Sequence, residues 1–429
     1  MAAVLGMALL LVVLAARLPI GFSLTLVGFL GYGIVGGWGA ALGMLGIEPY
    51  SQVTEYLLSA VPMFLLMGHF AHHTGISEEI YRTAYRWLGF LPRGLALATV
   101  AGCAGFAAAS GSSVATAAVM GTVSLPQMAR YNYHPRLATG CVAADGTLGI
   151  LIPPSITLVL FGIITDTPIG ELLIAGLIPG IMLACIFMLT IYVMAHRNPA
   201  LGPRAEPFSC GERFGALWGV WGILVLFVLV MGGIYGGIFT PTEAAAVGAV
   251  GAFTLAALKR KFTFGVLRTS IMDTGRTTAM IFITIVGAVI FSYFLAITQV
   301  PTRLSEFLAG LPVSKYVIIS GVIALYIPLG MFIEVIGVML LTLPVLFPVA
   351  VNMGFDLVWF GVVVVIMMEL GLITPPVGMN VSVISGIAKD VPLYEILRGI
   401  LPFFLGMLLL VAILIVFPQI ALFLPNTMR

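Results

Sequence analysis

Apolar residues dominate the chain in long runs separated by short polar breaks, from one end to the other. A hydrocarbon core about 30 Å thick takes about 20 apolar residues per helical crossing. The pattern therefore predicts an all-α polytopic membrane protein. In the first half, spans fall at 1–17, 20–38 and 55–74, followed by a polar amphipathic stretch at 77–90. Two apolar legs, 93–109 and 114–129, then flank Ser110, Gly111, Ser112 and Ser113. Legs of about 16 residues are short for a full crossing and predict a re-entrant hairpin. An interrupted span at 136–165, broken between Leu148 and Pro154, and a last span at 171–196 complete the half. The second half reads alike: spans at 214–235, 240–258 and 275–298, a polar stretch at 302–309, and a hairpin with its tip between Gly330 and Gly337. A broken span at 357–387, interrupted at Leu372, Ile373, Thr374, Pro375 and Pro376, precedes the final span at 395–420.

The likeness of the halves is numerical. Pro153-Pro154 and Pro375-Pro376 lie 222 residues apart, as do Gly149 and Gly371, Pro126 and Pro348, and Pro19 and Pro241. A shared offset at four separated landmarks predicts an internal duplication. Five complete crossings per copy is an odd number, so the copies insert upside down relative to one another. Lysine and arginine positions agree. With the N-terminus outside, all of the 19 basic residues except Arg303, Lys315 and Arg429 fall on the cytoplasmic side, as the positive-inside rule requires. No basic residue precedes Arg17, and apolar character resumes after Pro19, so the first run is expected to be a retained span and not a cleaved signal.

Composition removes whole classes of function. The 429 residues are 61% hydrophobic and 8% charged, against about 25% charged in soluble domains. No soluble domain is predicted, and no phosphate-binding G-x-x-x-x-G-K-[ST] run occurs, so energy must come from an ion gradient or a separate subunit. A net charge of +2 adds little, and no nucleic-acid partner is expected. Cys103, Cys141, Cys185 and Cys210 lack paired or metal-ligand spacing and read as small packing residues.

The chemistry sits at the interruptions. Unwound backbone survives in a membrane only where protein or water-filled space surrounds it, so the two Pro-Pro breaks and the two hairpin tips are predicted to share a cavity. Half-helices ending there present N–H groups that suit a carboxylate and carbonyls that suit Na⁺. A single Pro-Pro pair would be a kink. Its duplication, with a small polar tip upstream in the first copy, argues for a site. Ser110, Ser112, Ser113, Thr147, Ser155, Thr157, Thr374, Asn380 and Ser382 offer neutral oxygens for a hard monovalent cation, although hydroxyls in membranes equally serve helix packing. Asp145, Glu334 and Glu369 are acids in or near the interior and are functional candidates on that ground, their alternative being a buried protonated carboxyl or a pair with a basic residue. His69, His72 and His73 stand at helical spacing as in a metal site, but Arg82 and Arg86 nearby favour an interfacial role. Glu78, Glu79, Arg82 and Arg86 mark an interfacial helix. No nucleophile or metal set gathers at one depth, so an intramembrane enzyme is not expected; a passive channel is the further rival.

Three runs, Gly233 to Ala246 (GIYGGIFTPTEAAA), Ala144 to Ser155 (ADGTLGILIPPS) and Gly371 to Gly378 (GLITPPVG), resemble the large membrane subunit of TRAP transporters, the tripartite ATP-independent periplasmic carriers. The resemblance runs essentially end to end. It implies Na⁺-coupled import of an organic acid, of the sialic acid or C4-dicarboxylate class, in a bacterial inner membrane. It also implies two partners: a separate small four-helix membrane subunit, since Met1 opens directly on the large-subunit pattern, and a periplasmic substrate-binding protein. Na⁺ is the coupling ion and no cofactor is expected. An elevator mechanism would divide the chain into scaffold (1–92), transport part (93–170), last span and second scaffold (171–312), second transport part (313–394) and last span (395–429). By the same resemblance Ser110, Gly111, Ser113, Asp145, Thr147 and Gly149 would hold one Na⁺, and Gly330, Glu334 and Thr374 a second. Ser112, Ser113, Pro154, Ser155, Thr374, Pro375 and Asn380 would border the substrate. The second tip is poorer in hydroxyls than the first, which leaves its cation to backbone carbonyls or Glu334. The alternative within transport is a solitary ion-driven anion carrier without a binding protein.

Overall fold

Helix boundaries repeat at the spacing of the prolines. The computed structural model describes residues 2–197, 202–203 and 208–428, so Met1, Arg204 and Arg429 of the sequence reading lie outside the described residues. The first half comprises α1 (Ala2–Ala15), α2 (Ile20–Gly36), α3 (Trp38–Val53), α4 (Ala60–His73), α5 (Ile76–Leu88), α6 (Gly94–Ser110), α7 (Ser113–Arg130), α8 (Pro135–Asp145), α9 (Leu148–Leu151), α10 (Ile156–Thr165), α11 (Ile169–Ala175) and α12 (Leu177–Arg197). The second comprises α13 (Cys210–Tyr235), α14 (Pro241–Leu258), α15 (Phe264–Ile297), α16 (Val300–Ala309), α17 (Lys315–Ala324), α18 (Tyr326–Gly330), α19 (Val335–Asn352), α20 (Leu357–Leu372), α21 (Met379–Ile387), α22 (Leu393–Val416) and α23 (Gln419–Thr427). Among the described residues there is no strand. Adding 222 to the bounds of α7 gives those of α19, and Pro135 at the start of α8 maps to Leu357 at the start of α20.

Packing obeys the same exchange. Helix α2 packs on α15 and α14 on α4; α8 packs on α22 and α20 on α11; α7 packs on α21 and α19 on α10. Each contact recurs with the halves swapped, as a pseudo-twofold arrangement requires. Interfaces of this kind need small residues, because lipid tails are as apolar as the side chains and close backbone approach supplies the attraction. A Cβ at Gly399 of α22 would lie 2.0 Å from the Arg136 carbonyl oxygen, and one at Gly140 of α8 would lie 2.3 Å from the Gly399 carbonyl carbon.

The run at 233–246 owes its residues to a tight connection. Gly237 takes φ +67°, and Phe239 folds over Gly233, whose missing Cβ would meet the ring at 2.3 Å. Thr240 then caps α14 through a capping box: the Glu243 N–H donates to Thr240 Oγ1, and the Thr240 N–H donates to Glu243 Oε2. Pro241 occupies the first turn, where its missing N–H leaves nothing unpaired.

Several elements differ from the sequence reading. Residues 38–53, left without a span, form α3, a glycine-rich helix whose axis bends 54° from the segment running into α4. Its counterpart in the other copy is the start of α15, which runs unbroken for 34 residues, about 51 Å, and begins at Phe264 instead of 275. Arg268, Asp273 and Arg276 lie along this helix. In the first broken span Leu148 to Leu151 form a helical turn, and the unwound part is 152–155. The second tip is confined to Met331 to Glu334; Gly337 lies inside α19. The final span ends at Val416, with α23 a separate helix against α11, α12 and α20. Six helices among the described residues are long and apolar enough to cross a membrane, or eight if each bent pair counts as one span. These eight include α19, which the sequence reading took as a hairpin leg; its ten crossings leave α19 out and count α1, α2 and the pair α20 and α21, which are shorter or broken. Cys185 is exposed, unlike Cys103 and Cys141.

Helix α5 lies across the ends of α13 and α14. Glu79 pairs with Lys259 and, at 3.1 Å, with Lys261. Thr83 Oγ1 donates to the Ala216 carbonyl and Trp87 Nε1 to the Arg213 carbonyl. Partial burial pushes the Glu79 carboxyl up, but hydrogen bonds from Lys259 and Lys261 outweigh it and hold the carboxyl below its ordinary value.

This packing can be tested at two points. Gly399→Ala should destabilise the detergent-solubilised protein by about 1–3 kcal/mol through overpacking, read as a lower thermal unfolding midpoint, whereas Gly321→Ala, with open space around it, should not. The Glu79 contribution is present above the carboxyl's unfolded value and is lost as pH falls through the lowered folded value. Wild type and Glu79→Gln should therefore differ in thermal stability at neutral pH and converge in acid; a gap that persists below pH ~3 would exclude this account.

Candidate functional site

Both interruptions meet a hairpin tip, and the first does so through glycine. At the first tip Ser110 closes α6, Gly111 turns the chain with φ +61°, and Ser112 caps α7 by accepting from the Ala115 N–H. Thr116, one turn into α7, donates to the Ser112 carbonyl at 2.8 Å and shares a 2.7 Å hydrogen bond with Ser110. The first broken helix presses on this knot. A Cβ at Gly149 would lie 2.4 Å from Thr116 Oγ1 and 2.5 Å from the Ser112 carbonyl oxygen, and one at Gly111 would lie 2.7 Å from the Pro154 carbonyl oxygen. At the second tip a Cβ at Gly330 would lie 2.9 Å from Gly371 Cα, and the Gly378 N–H donates to the Met331 carbonyl at 3.2 Å. Both Pro-Pro bonds are cis.

One side chain joins the halves. Asn380, at the start of α21, donates from Nδ2 to Ser113 Oγ at 2.8 Å and to the Ala143 carbonyl at 3.3 Å. Its Oδ1 is buried without a partner. Glu369, on α20, is 1% exposed, and its electrostatic neighbours are the Ser113 hydroxyl and Glu334. Neither of its carboxylate oxygens has a hydrogen-bond partner. Such a group in a membrane interior is stabilised by a proton or a cation. Ser113, Asn380, Glu369 and Glu334 thus bring polar atoms from both copies to one locus.

Not every candidate from the sequence converges there. The Asp145 carboxylate accepts from Cys141 Sγ at 3.0 Å and neighbours Cys103. The other oxygen of Asp145, Oδ1, is buried without a partner. The hydroxyls of Thr147 and Thr374 donate to carbonyls in the last turn of the helices that precede them, at Ala144 and Leu370, which leaves only oxygen lone pairs for a ligand. Ser155 caps α10 by accepting from the Leu158 N–H, and Thr157 is buried beside it. Ser382 is exposed and donates to the Val377 carbonyl. Sequence reading missed Thr116, whose only signal was a hydroxyl one turn past the tip, and Gly378, which closes the third family-like run and carried no role there.

The two breaks differ in exposure. Pro153, Pro154 and Ser155 are buried, while Pro375, Pro376 and Val377 are exposed, as is Phe332 in the second tip. The chain itself therefore covers the first break and leaves the second uncovered.

The chain matches, over residues 7–420, the family described as the DctM component of the tripartite ATP-independent periplasmic transporters. It is 37% identical over 388 residues to the C4-dicarboxylate TRAP transporter large permease protein DctM of Pseudomonas aeruginosa, covering 89% of each chain. It is 33% identical over 419 residues to the sialic acid TRAP transporter large permease protein SiaM of Vibrio cholerae, covering 96% of each. Among solved structures, the YdaH transporter of Alcanivorax borkumensis superposes with a TM-score of 0.64 at 14% identity, covering 88% of each chain. That likeness concerns the fold.

The unequal exposure is directly measurable. In a protein lacking Cys185 and Cys210, a cysteine at Val377 (45% exposed) should react with a water-soluble maleimide on the order of tenfold or more faster than one at the equivalent Ser155 (0% exposed). Equal rates would remove the asymmetry.

Proposed function

The chain belongs to the DctM-component family of tripartite ATP-independent periplasmic transporters, and from that premise we propose that it is the large membrane subunit of a Na⁺-coupled importer of an organic acid. As a TRAP transporter component it is a polytopic membrane protein of organic-acid uptake, and its relatives are permeases, which points to transport and away from enzyme activity.

The finer reading rests on one observation: two tip-and-break pairs, one per copy, linked by Asn380 across the halves. In this reading Na⁺ sits at each tip, where half-helix carbonyls and hydroxyl oxygens replace its hydration shell. The first ion takes oxygens from Ser110, Gly111, Ser113, Asp145, Thr147 and Gly149. The second takes them from Gly330, Glu334 and Thr374. The organic acid lies between Ser112, Ser113, Pro154 and Ser155 on one side and Thr374, Pro375 and Asn380 on the other, its carboxylate near half-helix N-termini. Coupling arises because an anion between Glu334 and Glu369 is repelled until cations are bound.

Transport would proceed as an elevator, with 93–170 and 313–394 moving against the scaffold formed by 1–92 and the spans of the second copy. A small four-helix membrane subunit would steady that scaffold in the bacterial inner membrane, and a periplasmic binding protein would deliver the acid. Both C4-dicarboxylates and sialic acid suit a site of this kind; names of relatives include each.

The decisive measurement is uptake into liposomes holding the chain and its small subunit, with the binding protein supplied outside. Accumulation of labelled succinate or sialic acid should require an inward Na⁺ gradient and the binding protein together. Uptake that ignores Na⁺ and collapses with a proton gradient would transfer the coupling to Glu369 and Glu334. Uptake undiminished without a binding protein would favour the solitary carrier.

A further inference from the structure

Away from the tips, the structure brings an acid to the histidines that the sequence left at the interface. His69 and His73 stand four residues apart on α4, with rings stacked at 6.2 Å between centroids and 16° between planes. Asp273, 200 residues further along the chain, reaches across from α15 and places Oδ2 3.1 Å from His73 Nε2. One nitrogen from each ring and one carboxylate oxygen all lie within 4.8 Å of one another. His69 Nε2 is buried and has no hydrogen-bond partner, an open valence that neither helix satisfies. His72 is exposed, and although its ring stands 4.8 Å from that of His73 between centroids, tilted by 49°, it is not one of the three residues whose ligand atoms converge.

We propose that His69, His73 and Asp273 form a site for one divalent transition-metal cation of the zinc class, bridging α4 and α15. Two imidazoles at i and i+4 on one helix face present their nitrogens to a common point, and a third ligand from a second helix completes the three-residue set found in open tetrahedral sites. Imidazole and carboxylate together select zinc, cobalt, nickel or copper over magnesium and calcium. Bonds of about 2.0–2.2 Å place tetrahedral ligand atoms about 3.3 Å apart. The His73 and Asp273 atoms already stand near that distance, so only His69 has to turn inward. The ion would replace the proton shared by His73 and Asp273. His73 and Asp273 keep side-chain exposures of 23% and 32%, which admits the ion and leaves its fourth position to water.

The location gives the site a structural consequence. His73 ends α4, and Gly75, with φ +70°, turns the chain into α5. An ion held between α4 and α15 fixes this elbow from one side while Lys259 and Lys261 hold Glu79 from the other. Below the cluster the same faces of α4 and α15 border a groove lined by Pro62, Leu66, Ile271, Thr274 and Thr278. The hydroxyls of Thr274 and Thr278 are unpartnered there.

The test uses the purified full chain, free of affinity tags and stripped of metal by chelation. Calorimetric titration with Zn²⁺ should give one saturable site per chain, Co²⁺ should produce the visible bands of a tetrahedral complex, and Zn²⁺ should raise the thermal unfolding midpoint. His69→Ala and Asp273→Asn should each abolish all three responses while keeping the metal-free midpoint; His72→Ala should keep the responses. If His69→Ala does not fold, Asp273→Asn alone decides the matter. No saturable Zn²⁺ binding to the wild type, or binding that survives Asp273→Asn, would overturn the site. These readouts do not involve transport, so they stand or fall apart from the Na⁺-coupled reading.

Discussion

A peptide group with no hydrogen-bond partner is too costly to leave in hydrocarbon, and this one constraint organises the molecule. It allows helix through most of the chain and confines every departure to places walled by protein or water. The departures at 111–112, 152–155, 331–334 and 373–378 are therefore gathered toward one another, each tip against the break of its own copy. Glycine makes the contact possible at the first tip, because Gly149 lets a broken helix touch a carbonyl and a hydroxyl that any side chain would displace.

The same constraint explains why so much was legible beforehand. Proline and glycine mark where helix must stop, and a duplication leaves those marks at a fixed interval; the interval of 222 read from prolines reproduces the bounds of α7 and α19. Even the caps correspond, since Ser112 and Glu334 hold equivalent places at the starts of those helices. Legibility failed where the copies diverge. Helix α3 is rich in glycine and bent from α4, while its counterpart continues straight into a 34-residue α15, and nothing local in 38–53 announces a helix. It failed also for contacts between distant segments. Asp273 carries no signal that it will meet His73, and nothing in the spacing of Asp145 from the break announces its hydrogen bond from Cys141.

Divergence within the copies is chemically pointed. Glu369 occupies the place that Thr147 holds in the first copy, 222 residues earlier. One copy therefore sets a hydroxyl bonded to the end of the preceding helix where the other sets a carboxylate with both oxygens unpartnered. The duplicated frame supplies two similar cradles, and substitution at equivalent positions gives them different charge.

The covered first break and the uncovered second break have an energetic corollary. Because the halves are built alike, shutting one and unsealing the other removes from water about as much surface as it returns. In the proposed transport cycle two such arrangements would lie within a few kcal/mol of each other, so neither would be a trap, and the solutes on either side, not the polypeptide, would dictate the direction of net flow.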